Sequence, residues 1–158
     1  MATPGGVIRW SPAKTLSDTG VDSNLGDMIA SQDGRRITVS FLALKNYKHV
    51  LQTSSSANGG VDWGRAVSVS DETANASGPA LASSTDGTKV ALVWMRSTPA
   101  LHPVTSVSKD AGAHWTRIDT AGLDSSTPST GGVMGSQSWY DQALWATPDG
   151  TRVIVGGV

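Results

Sequence analysis

The chain has 158 residues, with 12 Lys and Arg against 13 Asp and Glu, a net charge of −1 and a pI near 6.2. This balance offers no electrostatic attraction to nucleic acid or an acidic membrane, and no apolar run approaches a membrane span. Because cysteine is absent, disulfides and thiolate metal sites are excluded. The 18 glycines and the abundance of Ser and Thr favour short strands joined by turns over helices.

The first predicted element is a strand over residues 7–16. The six residues before it have neither a charged region nor an apolar region. We therefore expect no signal peptide there.

A turn motif, Ser/Thr-x-Asp-Gly-x-x-Ile/Val, then occurs three times, at residues 31–37, 84–90 and 147–153. Asp-Gly between apolar stretches is a strong hairpin signal, because glycine adopts a positive φ without strain. Pro148 suits the second position of a type I turn, which leaves Gly150 in the left-handed region. The motif predicts the hairpin between the first and second strands of three sheets.

A second motif, Ser-x-Asp/Asn-x-Gly-x-x-Trp, lies between these hairpins. Its members are Ser56, Asn58, Gly60 and Trp63 in one copy and Ser108, Asp110, Gly112 and Trp115 in the other. The two tryptophans are 52 residues apart and the first two Asp-Gly turns 53 apart, so two unrelated motifs share one period. The third turn follows after 63 residues, which implies an insertion of about ten residues within 125–141.

This second motif resembles the Asp-box, or BNR repeat, of sialidases and other β-propellers. The resemblance implies an all-β fold of antiparallel four-stranded blades, in which the box joins the third and fourth strands. Its Asp and Ser would brace the turn by hydrogen bonds, and its Trp would pack on the sheet. The copy at 108–115 is complete, whereas Asn58 replaces the aspartate of the first copy. Near the N-terminus Trp10 and Thr3 match the pattern, but Gly5 stands in the aspartate position.

We therefore expect one partial, sialidase-like β-propeller. It would comprise a stray outer strand (7–16), two blades (27–70 and 79–120) and a half blade (143–158). Closed propellers have about four to eight blades, so the ring is incomplete. Three explanations stay open: a fragment of a longer protein, a module that self-associates to complete the propeller, and an open solenoid.

In the family that the box resembles, ligands bind at the edge opposite the hairpins and boxes. The insertion at that edge contains Trp139, Tyr140 and Asp141, our first ligand-binding candidates. Sugar rings stack on aromatic faces while their hydroxyls bond a carboxylate. The alternative is that the two aromatic side chains fill a gap between blades.

Arg96 and Tyr47 complete the set of ligand-binding candidates at this edge. A guanidinium can hold a carboxylate in two parallel hydrogen bonds, as the arginine cluster of sialidases does; a solvated surface arginine is the alternative. His49, His102 and His114 have no metal-ligand spacing, so we expect no metal and no cofactor.

The first functional hypothesis is a scaffold module of an extracellular or secreted protein that binds a glycan or a protein, with no nucleic acid and no membrane as partner. The alternative is a fragment of an exo-sialidase or related glycoside hydrolase. The Arg-Ile-Pro signature of that family is absent, and Glu72, the single glutamate, has no tyrosine placed near it by any motif. No catalytic residue is therefore assigned. A third possibility is a structural repeat without a ligand.

Overall fold

A computed structural model describes residues 12–18, 20–98, 101–118 and 142–157, with the backbone alone for 142–145 and 153–157. These residues form three antiparallel sheets, and no helix occurs among them. The all-β expectation with antiparallel four-stranded sheets is confirmed. The first sheet consists of β1 (Ser23–Ala30), β2 (Ile37–Lys45), β3 (Lys48–Ser56) and β4 (Val67–Ser68). The second consists of β5 (Ala76–Ser83), β6 (Val90–Arg96), β7 (His102–Ser108) and β8 (Thr116–Ile118), and the third of β9 (Gln142–Ala146) and β10 (Val153–Gly157).

Both four-stranded sheets begin a few residues before the predicted blades 27–70 and 79–120. In each sheet the first strand continues on the N-terminal side of a β-bulge. The register shifts between Leu25 and Met28 in β1 and between Ser77 and Ala80 in β5. Glycine inside a strand marks such bulges, and Gly26 and Gly78 lie in these two. Of the predicted outer strand, residues 12–16 are not in a strand and residues 7–11 lie outside the described part of the chain.

The three Asp-Gly hairpins have the expected left-handed glycine. The φ angles of Gly34, Gly87 and Gly150 are 69°, 68° and 64°. Only glycine adopts this conformation without steric cost, so the turn motif determines the hairpin geometry in all three sheets.

Consecutive sheets pack against each other through their first strands: β1 lies beside β5, and β5 lies beside β9. Between the first two sheets lies an apolar cluster formed by Leu51, Ala76, Leu81, Val90, Leu92, Trp94 and Val104. Hydroxyl side chains are buried as well, among them Ser40 and Thr53. Along β2, the apolar residues Val39 and Phe41 alternate with Thr38 and Ser40, and all four side chains are buried. Small hydroxyl groups let the sheet pack closely on its second face as well.

Candidate functional site

Antiparallel pairing places the connecting loops at the two opposite ends of the strands, and each set of strand ends forms one face of the molecule, which we call an edge. We call one the turn edge; it contains the Asp-Gly hairpins 31–36, 84–89 and 147–152 and the box loops 56–63 and 108–115. We call the other the link edge; it contains the β2–β3 turn, the link 69–75, and the described residues of the β6–β7 connection and of the link 17–22.

In the second box loop, Asp110 and Ser108 hold the turn together. The Ser108 hydroxyl donates to Asp110 Oδ1 at 2.8 Å and accepts from Gly112 N at 2.8 Å. Asp110 Oδ1 also accepts from His114 N at 2.9 Å, and Oδ2 lies 2.6 Å from His114 Nδ1. The imidazole contact, followed by the bonds from His114 N and Ser108, lowers the pKa of Asp110 to about 2. The aspartate therefore braces the loop.

The first box loop has the same bonds with a different pair of side chains. The Ser56 hydroxyl donates to Asn58 Oδ1 at 3.0 Å and accepts from Gly60 N at 2.9 Å. Asn58 Oδ1 accepts from Asp62 N at 2.8 Å, and Asn58 Nδ2 donates to Asp62 Oδ2 at 2.9 Å. Asparagine fits here because position 62 provides the carboxylate that position 110 provides in the second loop.

The two box tryptophans differ in their hydrogen-bond partners. Trp63 Nε1 donates to Gly60 O within its own loop at 2.9 Å. Trp115 Nε1 donates to Thr53 Oγ1 on β3 of the first sheet at 3.0 Å. The second loop therefore attaches its sheet to the preceding one.

The hairpins of the turn edge are joined in series by backbone hydrogen bonds. Gln32 N donates to Thr85 O at 2.9 Å, and Thr85 N donates to Pro148 O at 2.8 Å. We call this series the turn ladder. Within each hairpin a hydroxyl donates to the aspartate at 2.6 Å, from Ser31 to Asp33, from Ser84 to Asp86 and from Thr147 to Asp149. The hydrogen bonds from Ser84 and Thr147 are the main reason that the pKa values of Asp86 and Asp149 are lowered to about 2. These aspartates therefore brace their turns.

A cavity of about 460 Å³ opens at the turn edge beside the ladder. Its polar lining comes from the hairpins themselves, including Asp33, Asp86 and Asp149. These carboxylates are bonded within their turns, and Lys89 Nζ donates to Asp149 O at 2.6 Å. The three carboxylates and the Lys89 ammonium of the cavity therefore already have partners in the fold.

At the link edge, Arg96 is held by the link that precedes its sheet. Its Nη2 lies 3.2 Å from Asp71 Oδ2 and donates to Thr73 Oγ1 at 2.8 Å, and Nη1 donates to Thr98 O. The pKa of Asp71 is lowered mainly by the hydrogen bond from the Thr73 hydroxyl. The Thr73 backbone N–H and the charge of Arg96 lower it further. Both nitrogens of the Arg96 fork are thus engaged.

The first sheet repeats this contact one period earlier. Lys45, at the end of β2, pairs with Asp18 in the preceding link at 3.4 Å. Asp18 and Asp71 are 53 residues apart, and Lys45 and Arg96 are the last residues of β2 and β6. The sequence analysis did not predict these two ion pairs, although the spacing of 53 residues between Asp18 and Asp71 matches the repeat and could have indicated them.

The link 69–75 is also fastened to the β2–β3 turn. Asn46 Nδ2 donates to Glu72 Oε2 at 2.9 Å, and Asn75 Oδ1 accepts from His49 N at 2.9 Å. Asn46 and Tyr47 both have positive φ, 49° and 60°, which is the geometry of a type I′ hairpin turn. Tyr47 stands at the tip of this turn and is 94% exposed.

The predicted site is only partly visible. Trp139, Tyr140 and Asp141 lie outside the described residues. Arg96 and Tyr47 lie at the same edge, and no hydrogen bond joins them in the described part of the chain. The described residues also contain no group of three or more His, Asp or Glu side chains that could hold a metal ion, and no helix that could cross a membrane.

No protein-family model matches the chain, and neither does any curated protein. Within the chain, the two box loops and the first two hairpins repeat with a period of 52 to 53 residues.

Proposed function

We propose that this chain is a segment of an Asp-box β-propeller that serves as a binding scaffold in an extracellular protein. In this proposal its link edge presents side chains to a glycan or protein ligand. The observation that carries the proposal is the shared hydrogen-bond set of loops 56–63 and 108–115. In each loop the serine hydroxyl and the Asp or Asn oxygen satisfy backbone N–H groups at equivalent positions. A repeated loop brace of this kind serves folding and leaves ligand contacts to the opposite edge.

The link edge has the properties of a presenting surface. The contact of Asn46 with Glu72 and the ion pair of Arg96 with Asp71 tie its loops to the links. Tyr47 stands exposed on a turn held in this way, so little further ordering is needed when a ligand binds. An exposed tyrosine ring offers a sugar a flat apolar face and a hydroxyl.

The hydrolase alternative has no comparable support among the described residues. The guanidinium of Arg96 is engaged with Asp71, Thr73 and Thr98. The carboxylate of Glu72 accepts a bond from Asn46. We therefore retain the binding scaffold as the proposed function.

A glycan microarray tests the proposal directly. We expect the wild-type chain to bind a defined group of glycans, and Tyr47→Ala or Trp139→Ala to weaken that binding at least tenfold, because stacking area is lost. Val61→Ala is the matched control, since Val61 is an exposed apolar residue of the turn edge. Absence of glycan binding, or equal loss in the Val61 variant, would contradict glycan presentation by the link edge. Turnover of a fluorogenic sialoside would instead favour the hydrolase.

A further inference from the structure

Asn58 is the only asparagine of the chain that is followed by glycine; Asn24, Asn46 and Asn75 precede Leu, Tyr and Ala. Asparagine is chemically labile, and a following glycine increases the lability, because no Cβ hinders the approach of the next backbone nitrogen to the side-chain carbonyl. Asn58 and Gly59 are both exposed on the first box loop. Water therefore has access to the pair.

The reaction open to this pair is deamidation through a cyclic imide. The Gly59 nitrogen forms a bond to Asn58 Cγ, and the bond from Cγ to Nδ2 breaks. The proton of the Gly59 amide passes through water to the departing nitrogen, which leaves as ammonia. Water then adds to one of the two imide carbonyls and opens the ring to aspartate or isoaspartate. Water is the only co-reactant.

In the folded chain the attacking and the attacked groups are both engaged. Gly59 N donates to Arg35 O of the first hairpin at 2.7 Å. Asn58 Oδ1 accepts from Asp62 N at 2.8 Å, and Asn58 Nδ2 donates to Asp62 Oδ2 at 2.9 Å. The imide can therefore close only after the loop has moved away from the hairpin and released the side chain.

The second box loop makes the same contact without the reactive pair. Ala111 N donates to Thr88 O at 2.8 Å, and Thr88 lies 53 residues after Arg35. Ala111 has a φ of 57°, close to the 71° of Gly59. A Cβ added at Gly59 would lie 3.6 Å from Gly34 O, which is an ordinary contact. The loop thus accepts alanine at this position, and its shape does not require the glycine of the labile pair.

The Asp-Gly hairpins contain the same glycine but a poorer electrophile. Hydroxyl bonds within the hairpins lower the pKa values of all three aspartates below the ordinary value, so these side chains are ionised at neutral pH. An ionised carboxylate resists attack by a backbone nitrogen and has no ammonia to release. Asn58 is therefore the position at which this chemistry proceeds first.

We propose that Asn58 is a site of spontaneous deamidation and that docking of its loop on the first hairpin sets the rate. The product has a carboxylate where the Asn58 amide donated to Asp62 Oδ2. Loss of this donor and repulsion between the two carboxylates make the loop open more often after the reaction than before it. The site lies at the turn edge, so the proposal is independent of the ligand at the link edge.

Peptide mapping by mass spectrometry during incubation at neutral pH tests the proposal with the full chain. We expect acid to form at position 58 ahead of the other three asparagines. It should form about tenfold faster when urea unfolds the chain, because unfolding frees both reacting groups. Ser56→Ala should raise the rate in the folded chain about fivefold, because the loop loses the hydroxyl that bonds Asn58 and Gly60.

Two further variants separate the chemistry from general loosening of the fold. Ser108→Ala is the matched control, since it removes the equivalent hydroxyl from the second loop and should leave the rate at Asn58 unchanged. Gly59→Ala should slow the reaction about tenfold, because its Cβ hinders the attacking nitrogen. Its circular dichroism should match the wild type, since Ala111 already occupies the equivalent position.

Four results would overturn the proposal. One is the absence of acid at position 58 in both the folded and the unfolded chain. Another is an equal rate in the two states. The third is equal acceleration by Ser56→Ala and Ser108→Ala. The fourth is Gly59→Ala reacting as fast as the wild type while its circular dichroism matches.

Discussion

The two box loops have one hydrogen-bond plan but different roles in the fold. Loop 56–63 closes on itself, since Trp63 donates to Gly60 in the same loop. Loop 108–115 reaches across to the preceding sheet, where Trp115 donates to Thr53. The comparison shows that a repeated motif fixes the shape of a loop, while the neighbouring sheet decides how much the loop contributes to stability.

The largest effect should come from removing the tryptophan that joins the two sheets. Trp115 packs against the apolar cluster, so Trp115→Ala should lower the free energy of unfolding by about 3 kcal/mol. Trp63→Ala is the matched variant and should cost less, because its indole N–H bonds within its own loop. Urea unfolding followed by circular dichroism measures both; equal losses would contradict the comparison.

Substitution of the box glycines should also cost more free energy of unfolding in the second loop than in the first, but the difference should be smaller than for the tryptophans. Gly60 and Gly112 have φ of 85° and 88°, so alanine costs about 1–2 kcal/mol of backbone strain at either site. At Gly112 the new Cβ would also lie 2.4 Å from Ser55 Oγ, whereas at Gly60 the nearest atoms are 3.7 Å away. We expect Gly112→Ala to cost about 1 kcal/mol more, because Ser55 loses its bond to Thr38.

Ser55→Ala separates the two contributions at Gly112. In that background the clashing oxygen is gone, and the extra cost of Gly112→Ala should disappear. Persistence of the full difference in urea unfolding would show that the contact between the sheets is not its cause.

Acid should loosen the second loop selectively. The pKa of Asp110 lies at about 2, below the ordinary value of an aspartate, so its ionised form stabilises the fold above pH 4. That contribution is lost as the pH falls through 2, whereas the Asn58 amide, which occupies the position of Asp110 in the first loop, does not titrate. NMR of the amide of His114 should report a transition that is absent in Asp110→Asn. An identical transition in that variant would assign it to another group.

Exchanging the brace residues should produce a smaller effect. Asn58→Asp places a second carboxylate against Asp62, which should destabilise the chain by about 0.5–1 kcal/mol. Adding Asp62→His recreates the Asp–His pair of the second loop and should restore stability. Urea unfolding of the single and double variants checks this. Failure of the double variant to recover would mean that the two pairs are not equivalent.

The smallest effect concerns the residue that follows Asp110 in the second loop. Ala111 has a φ of 57°, while the first loop has Gly59 there with a φ of 71°. Ala111→Gly should stabilise the chain by about 0.5 kcal/mol, because relief of strain exceeds the added entropy of the unfolded state. Thermal unfolding measures the shift, and a lowered midpoint would contradict the expectation.

Sequence reasoning predicted the local elements that short motifs specify. The left-handed glycines of the hairpins follow from Asp-Gly chemistry, and the sheets follow from apolar stretches around each turn. The motif alone did not explain why Asn58 can replace the aspartate; the structure shows that Asp62 supplies the carboxylate of that loop.

Contacts between repeats could not be predicted in the same way. The bond from Trp115 to Thr53 and the ion pair of Arg96 with Asp71 join residues that no local motif relates. The sequence therefore indicated Arg96 as a ligand candidate, whereas the structure pairs it with Asp71, a contact that Lys45 repeats with Asp18. The spacing of Asp18 and Asp71 could have revealed it, since the period already relates the hairpins.

The claim that loop 108–115 attaches one sheet to the other is tested most directly by a double-mutant cycle. Trp115→Phe and Thr53→Val each remove one partner of the bond between the sheets while keeping most of the side-chain volume. We predict a coupling free energy of about 1 kcal/mol between them in urea unfolding. A coupling of zero would contradict the account, because the two residues would then stabilise the chain independently.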